Sequence, residues 1–283
     1  APLTRHLAKG GLLICSGIIR EREQDVLDAA LAKGVNIIDT PGHVDFAGEV
    51  ERSLSVLDGA VLVLSAIEGI QAHTEVLWDA LQAKKIPTLL FVNKIDRAGC
   101  DLHNLFSVLR KKFSPHILPM EQVTEEGTRT CGLLPAREES IYEGLAEADD
   151  HWMEQYLEGV PQTMQSLSAG LKQLTENQRV FPLFFGSMST GVGAEQLLDA
   201  VCSLFSEHGD VAAPLSGVVY QITHDKTMGK AAHIRLFGGV LRNRDEVFVP
   251  ALGEPQKITQ IRRFSGGRQT DLGVLEAGDI AAV

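Results

Sequence analysis

With 283 residues the chain is long enough for a well-buried core and for two domains, and its 44% hydrophobic and 22% charged residues are ordinary globular usage. No apolar run approaches the roughly 18 residues that a membrane helix needs, and the early stretch "LLIC" is too short for the core of a secretory signal. The formal net charge of −11 argues against a general nucleic-acid binder. We therefore expect a cytoplasmic protein with no membrane span.

Charge and cysteine placement add two observations. Residues 121–160 hold eleven acidic residues against two arginines, a balance of −9, whereas residues 211–283 hold nine basic against seven acidic residues, a balance of +2. No two cysteines form a CxxC pair, so neither a zinc site nor a disulfide framework is indicated. The cysteines, which we expect to be reduced and mostly buried, are Cys15, Cys100, Cys131 and Cys202.

Short apolar runs rich in branched residues predict four buried strands, and helical patterns lie between them. The strands are predicted at Val35–Ile38, Ala60–Leu64, Thr88–Val92 and Val180–Phe185. Two helices with one apolar stripe each are predicted at residues 101–113 and 194–205. Strand and helix in alternation predict a parallel α/β sheet, whose ligands bind beyond the carboxyl ends of the strands.

Residues 114–179 fit this rhythm poorly because they are acidic and rich in helix formers. We expect them to form an insertion on the surface of the first domain, with the charge run as a solvated face. After the linker near residues 207–214, short alternating segments punctuated by glycine predict a small antiparallel β-barrel. The expected domains are therefore residues 1–210 and residues 211–283.

The string "DTPGH" follows the first predicted strand. A carboxylate at a strand end, here Asp39, can hold a magnesium ion directly or through water. Gly42 lets a backbone N–H approach a terminal phosphate, and His43 could orient an attacking water. We take Asp39, Thr40, Pro41, Gly42 and His43 as candidate nucleotide contacts, with His43 as the catalytic candidate and Asp39 as the metal ligand.

The string "NKID" follows the third predicted strand. Asp96 can accept hydrogen bonds from N1–H and the 2-amino group of guanine, which adenine does not offer. Asn93 would tie loops together or meet N7, and the Lys94 stem would cover the purine ring. A tetrapeptide of this kind is common by chance, but two such strings at strand ends about fifty residues apart are stronger evidence.

The string "GSMS" follows the fourth predicted strand. The backbone N–H of Ser187 or of Met188 could donate to guanine O6 there. Alone this would be an ordinary Gly-Ser loop, and its order after the other two strings is what makes it a candidate.

These strings, with "VERSLSVLDGAVLVLSAIEGIQAHTEVLW" between the first two, resemble the G domain of translational GTPases close to elongation factor G. The similarity to the tetracycline-resistance ribosomal protection proteins is greater, through "SLSVLDGA", "NKIDRAGCDL" and "EADDHWMEQYLEG". The stretches "HIRLFGGVLRNRDEV" and "AGDIAAV" resemble the barrel that comes after the G domain in that group. The resemblance runs from about residue 35 to residue 283.

The resemblance implies a P-loop-NTPase-like G domain, with a parallel sheet flanked by helices, followed by a small antiparallel β-barrel. It implies GTP and Mg²⁺ as cofactors, and a monomeric factor whose partner is the ribosome, with its rRNA and proteins. Asp39 would help hold Mg²⁺, Gly42 would sense the γ-phosphate and His43 would position the hydrolytic water. Asn93, Lys94, Asp96, Ser187 and Met188 would hold guanine, although the family usually has Ala where Met188 stands.

The sequence contains no GxxxxGK[ST] string, whose backbone and lysine hold phosphates and whose hydroxyl binds Mg²⁺ in such domains. The threonine of the first switch also lacks a match, and "LLICSGIIRE" only faintly resembles the stretch after the phosphate loop. We expect a chain that is a fragment, incomplete at its N-terminus and without the C-terminal domains of the family; a natural protein that has lost catalysis is the alternative.

Three functions remain open at this point. The first is a ribosome-associated GTPase of the tetracycline-protection type, and the second is an elongation factor G paralogue that acts in translocation. The third is a non-hydrolysing ribosome-binding module, in which the less acidic barrel contacts the ribosome through Arg262, Arg263 and Arg268. These arginines are equally consistent with ordinary surface charge.

Overall fold

A computed structural model of the chain describes residues 10–15, 35–40, 47–206, 208–225, 229–265 and 268–283. Its first part alternates strands and helices, as the sequence predicts. The elements, in chain order, are β1 Gly10–Cys15, β2 Val35–Thr40, α1 Ala47–Leu54, β3 Gly59–Ser65, α2 Ala72–Ala83, β4 Thr88–Asn93, α3 Leu102–Lys112, β5 Ile117–Pro119, β6 Glu121–Thr124, β7 Gly132–Pro135, α4 Glu138–Ala148, α5 Asp150–Leu157, α6 Met164–Glu176, β8 Phe181–Phe185 and α7 Ala194–Leu204.

Six of these strands form one parallel sheet in the order β2-β1-β3-β4-β8-β5. Alternate residues of a strand point to opposite faces, so both faces of this sheet are apolar. On β3, Val61 packs into a core covered by α4 to α7, whereas Leu62 and Leu64 pack into a second core covered by α2 and α3. The predicted parallel α/β architecture is confirmed.

Helix α3 shows how local sequence sets an element. The carboxylate of Asp101 accepts the Asn104 N–H at 2.9 Å and so caps the first turn. Three basic residues in the last turn oppose the negative end of the helix dipole. Leu102, Leu105 and Leu109 form the buried stripe that the sequence predicts.

Residues 114–179 differ from the surface insertion that the sequence predicts. Strand β5 pairs in parallel with β8 and forms the edge of the main sheet. Leu145 of α4 and Leu167 of α6 are almost fully buried in the core on one sheet face. Trp152 packs against Gly170, where an added Cβ would lie 2.1 Å from the indole ring. The acidic side chains occupy the outer face of helices whose inner face is part of the core.

The second part is antiparallel β-structure. Its strands are β9 Ser216–Asp225, β10 Gly229–Gly238, β11 Val240–Arg242, β12 Glu246–Val249, β13 Glu254–Lys257, β14 Arg262–Ser265, β15 Arg268–Asp271, β16 Val274–Glu276 and β17 Ile280–Ala282. Five of them form a sheet in the order β15-β14-β17-β10-β9, and β11–β16 and β12–β13 form two further pairs. A common apolar core, with Leu236, Leu241 and Leu275 at its centre, agrees with the small barrel that the sequence predicts.

The two parts contact each other directly. Val56, in the turn between α1 and β3, is fully buried against Tyr220 of β9 and Ile280 of β17. Beside this apolar contact, Asp58 and Arg235 form a buried ion pair. Among the described residues, no helix is both long and apolar enough to cross a membrane.

Candidate functional site

The site lies where β4 and β8, neighbours in the parallel sheet, reach their carboxyl ends. Asn93 is the last residue of β4, and the loop that begins at Gly186 directly follows β8. In a parallel sheet these ends meet at one edge, where ligands of open α/β folds bind. The strings "NKID" and "GSMS" are therefore brought together, as the sequence predicts.

Asn93 ties the two loops to each other. Its side-chain Oδ1 accepts the N–H of Lys94 at 2.8 Å and the N–H of Met188 at 3.1 Å. The side chain is buried, so both hydrogen bonds form away from bulk water. The sequence leaves two roles open for Asn93, a link between loops or a contact with guanine N7. The structure shows Asn93 linking the two loops.

Lys94 stands beside Asn93 in a left-handed backbone conformation, with φ of 68°. Its Nζ lies 3.2 Å from the carboxylate of Glu68, in the turn after β3. The hydrogen bond with Ser65, and then the one with Lys94, lower the pKa of Glu68. Both charged side chains are about half exposed, so this ion pair aligns the lysine more than it stabilises the fold.

Asp96 is the residue best placed to receive a ligand. Its side chain is 7% exposed, and its Oδ1 is buried without a hydrogen-bond donor among the described residues. Its Oδ2 accepts the Ser189 hydroxyl at 3.3 Å and lies 3.8 Å from Nε of Arg97. A buried carboxylate oxygen without a donor is costly. The N1–H and 2-amino group of guanine are donors of the kind that would satisfy it.

The loop after β8 is held by its own backbone. The Ser187 N–H donates to the Val192 carbonyl at 3.0 Å, and the Met188 N–H donates to Asn93. We expected one of these two N–H groups to be available for guanine O6, but both have acceptors in this structure. The Ser189 N–H, in contrast, has no acceptor within the described part of the chain.

Two glycines allow this loop to close. An added Cβ at Gly186 would lie 2.4 Å from the Val192 carbonyl oxygen. At Gly193, where φ is 82°, it would lie 2.1 Å from the carbonyl oxygen of Phe185. The glycine-rich composition therefore has a geometric reason, which is the tight return of the chain onto the end of β8.

Two thiols lie in the electrostatic reach of Asp96. Burial, followed by the charges of Glu126 and other carboxylates that include Asp96, raises the pKa of Cys100 to about 11. Burial likewise raises the pKa of Cys131. Both thiols therefore stay protonated at neutral pH. Of the cysteines that we expected to be mostly buried, Cys131 is buried, whereas Cys100 and Cys202 are half-buried.

The candidates in "DTPGH" lie mostly outside the described residues. Asp39 and Thr40 are the last two residues of β2, with only their backbone described, and Pro41, Gly42 and His43 fall outside. Since β2 and β4 run parallel in one sheet, Asp39, near the carboxyl end of β2, lies at the same end of the strands as Asn93. The predicted roles of these five residues, including the magnesium ligand, stay predictions.

Sequence reasoning missed two residues at the site. Ser189 lies inside the quoted string "GSMS" but received no role, since nothing local shows that its hydroxyl meets a carboxylate 93 positions earlier. Glu68 also received none, and its position after a predicted strand end was the available signal.

The elongation factor Tu GTP binding domain model matches residues 29–207. The chain is 37% identical over 252 residues to Tetracycline resistance protein TetP of Clostridium perfringens, covering 87% of this chain and 39% of that protein. It is 39% identical over 241 residues to Tetracycline resistance protein TetW of Butyrivibrio fibrisolvens, covering 82% and 36%. The chain thus spans about two fifths of the length of these curated relatives.

A crystal structure of a protein from Thermus thermophilus has the same fold, with a TM-score of 0.77 at 21% identity over 98% of this chain and 52% of that chain. The family match covers more than half of the chain, and its range includes Asn93, Asp96 and the loop after β8. The chain therefore belongs to the family of the elongation factor Tu GTP binding domain.

Proposed function

We propose that the chain binds guanine nucleotides through the two loops at the carboxyl ends of β4 and β8. The observation that carries this proposal is the buried Asp96 Oδ1 without a donor among the described residues, next to a carboxylate oxygen that Ser189 already holds. Guanine presents two adjacent donors to such a carboxylate, whereas adenine presents an acceptor at N1. The Lys94 stem would cover one face of the base, and the loop with Ser187 and Met188 would line its O6 edge.

The phosphate side of the site is proposed from the family. GTP would be the nucleotide, with Mg²⁺ near Asp39 and the adjacent Thr40. The metal ion, when bound, would neutralise part of the negative charge of the phosphates. The backbone after Pro41, at Gly42, would approach the terminal phosphate, and His43 would position the water that attacks it. The parent protein would accordingly be a GTP hydrolase.

We further propose that the parent is a translational GTPase that acts on the ribosome and protects it from tetracycline. The names of the relatives TetP and TetW support this reading, and the barrel after the G domain is compatible with it. Such a factor would work in the cytoplasm, as a monomer, and would contact rRNA and ribosomal proteins. The boundary between its first two domains would lie near residue 210.

The test is resistance in a susceptible bacterium. Expression of the gene that encodes this chain, with the His43→Ala variant beside it, is followed by growth in tetracycline. We expect the unmodified gene to raise the tolerated concentration and His43→Ala to abolish that gain. His103→Ala, which alters an exposed histidine on α3, is the matched control and should keep it.

Two results would speak against the proposal. If the gene supports no growth in tetracycline but the protein supports translocation in a reconstituted system, the parent is an elongation factor G paralogue. If His43→Ala leaves resistance intact, hydrolysis at this site is not what protects the ribosome.

A further inference from the structure

The hydroxyl groups of Ser187 and Ser189 form a short chain that ends on Asp96. The two hydroxyl oxygens are 3.0 Å apart, and the Ser189 hydroxyl donates to Asp96 Oδ2 at 3.3 Å. Ser187 is buried, whereas Ser189 is exposed at the mouth of the loop. A polar contact thus runs from the interior of the β8 loop to the carboxylate that comes after β4.

The contact matters because little else orients this carboxylate. The terminal torsion of an aspartate side chain is broad, so an Asp without partners can rotate. Arg97 is the other partner of the side chain within the described ranges, at 3.8 Å with two thirds of the arginine exposed, and such a pair restrains geometry only weakly. Asp96 Oδ1 has no donor in the described structure. The Ser189 hydroxyl is therefore the main restraint on which oxygen faces the proposed base site.

We propose that Ser189 is a positioning residue for base recognition: it holds Asp96 so that the carboxylate meets both N1–H and the 2-amino group of guanine. This inference rests on the proposed guanine binding. A carboxylate oxygen accepts two hydrogen bonds, so Oδ2 can keep the serine and still accept from the base. The donor at Oδ2 also offsets part of the cost of holding a carboxylate away from water.

The consequence is specific to the 2-amino group. A carboxylate that rotates freely can still accept one hydrogen bond from N1–H, but it meets two parallel donors only in one orientation. Loss of Ser189 should therefore weaken binding of guanine more than binding of hypoxanthine, which lacks the 2-amino group. A residue that merely supports the fold would weaken both equally.

The experiment measures the affinities of the full chain for GDP and for inosine diphosphate by titration calorimetry. The variants are Ser189→Ala, the conservative Ser189→Thr, and Ser203→Ala as a control on the exposed side of α7. Because Ser189 is exposed, its substitution should leave the fold intact, which the unfolding temperature verifies.

We expect the unmodified chain and Ser203→Ala to prefer GDP, and Ser189→Ala to lose about three- to tenfold of that preference, the usual net effect of one lost hydrogen bond. Ser189→Thr should restore it. An unchanged ratio of the two affinities in Ser189→Ala, or an equal loss for both nucleotides, overturns the positioning role while leaving guanine binding in place. Equal affinities for the two nucleotides in the unmodified chain would mean that the carboxylate does not read the 2-amino group, which also overturns the positioning role, whereas no detectable binding of GDP would overturn the proposed guanine binding itself.

Discussion

Arg235 of β10 places its Nη2 2.8 and 2.7 Å from the two carboxylate oxygens of Asp58, which precedes β3. The arginine side chain is fully buried, and it also donates to the carbonyls of Val56 and His208. The ion pair thereby fastens the antiparallel part of the chain to the turn between α1 and β3. That turn leads into the first residue of β3, so the ion pair lies at the amino ends of the parallel strands, opposite the carboxyl ends that carry the proposed nucleotide site.

Replacement of Arg235 by methionine should destabilise the protein strongly. The variant keeps much of the buried volume but leaves the Asp58 carboxylate without its guanidinium, and breaking a buried pair in this way costs about 3–5 kcal/mol. Urea unfolding measures the free energy. Arg242→Met, at an exposed arginine on the next strand, should change it by less than about 0.5 kcal/mol. Equal effects of the two variants would mean that the ion pair does not hold the two parts together.

Gly193→Ala should disrupt the loop that lines the proposed base pocket. The substitution meets both an unfavourable φ of 82° and a Cβ position 2.1 Å from the Phe185 carbonyl oxygen. Gly159→Ala is the matched control, since its φ is 69° but its Cβ would have nothing within 4 Å. The control should cost about 1–2 kcal/mol for the backbone alone.

Gly193→Ala should cost clearly more than this control in free energy of unfolding, because the loop must move away from β8. The same variant should weaken GDP binding, whereas Gly159→Ala should leave it unchanged. If both variants lose the same stability and bind alike, the close approach at Gly193 is not a constraint on the loop.

Asn93→Ala should separate the two loops of the site. The variant removes the acceptor of the Lys94 N–H and of the buried Met188 N–H, and an unsatisfied buried donor costs about 1–3 kcal/mol. We expect that loss of stability in thermal or urea unfolding. We also expect weaker GDP binding, with the Kd rising about tenfold for each 1.4 kcal/mol of interaction free energy that is lost. Asn104→Ala, at an exposed position on α3, should bind GDP as the unmodified chain does.

Glu121→Gln should change how stability depends on pH. Burial raises the pKa of the Glu121 carboxyl, and the Phe185 N–H, which donates to it at 3.0 Å, opposes part of the rise. A carboxyl with a raised pKa in the folded state contributes stability that is present below the pKa of the unfolded chain. That contribution is lost as the pH rises through the folded value.

Glutamine keeps an oxygen acceptor for Phe185 but has no proton to lose. Relative to the unmodified chain, Glu121→Gln should therefore gain stability in urea unfolding as the pH rises from about 4, the ordinary pKa of a glutamate, towards neutrality. Glu246→Gln, at an exposed position of β12, should show no such gain. A parallel pH profile for Glu121→Gln and the unmodified chain would contradict the role of burial at this carboxyl.

The strands at the centre of the fold were predictable because their signal is local. Residues 60–64 and 88–92 are continuous apolar runs, as expected for strands covered on both faces, and β3 and β4 extend them by one or two residues. Strand β5 was not predictable. Its three residues, Ile117–Pro119, are too few for any periodicity, and their place in the sheet is decided by pairing with β8, more than sixty residues later.

The same limit applies to the site. The strings that end β4 and β8 identify Asn93 and Asp96 as polar groups at a sheet edge, which local sequence can predict. Three contacts join residues that lie 93 to 177 positions apart in the sequence. Asn93 Oδ1 accepts the Met188 N–H, the Ser189 hydroxyl donates to Asp96, and Arg235 donates to Asp58. No spacing rule contains such pairs.

Recognition of guanine by Asp96 is tested by a paired titration of the chain with GDP and ADP. Adenine has no hydrogen on N1 and no 2-amino group, so it cannot donate to the carboxylate. We predict that GDP binds at least about tenfold more tightly than ADP, and that Asp96→Ala removes most of this difference, because about 1.4 kcal/mol corresponds to each factor of ten. Equal affinity for GDP and ADP, or a preference for GDP that survives Asp96→Ala, would mean that Asp96 does not select guanine.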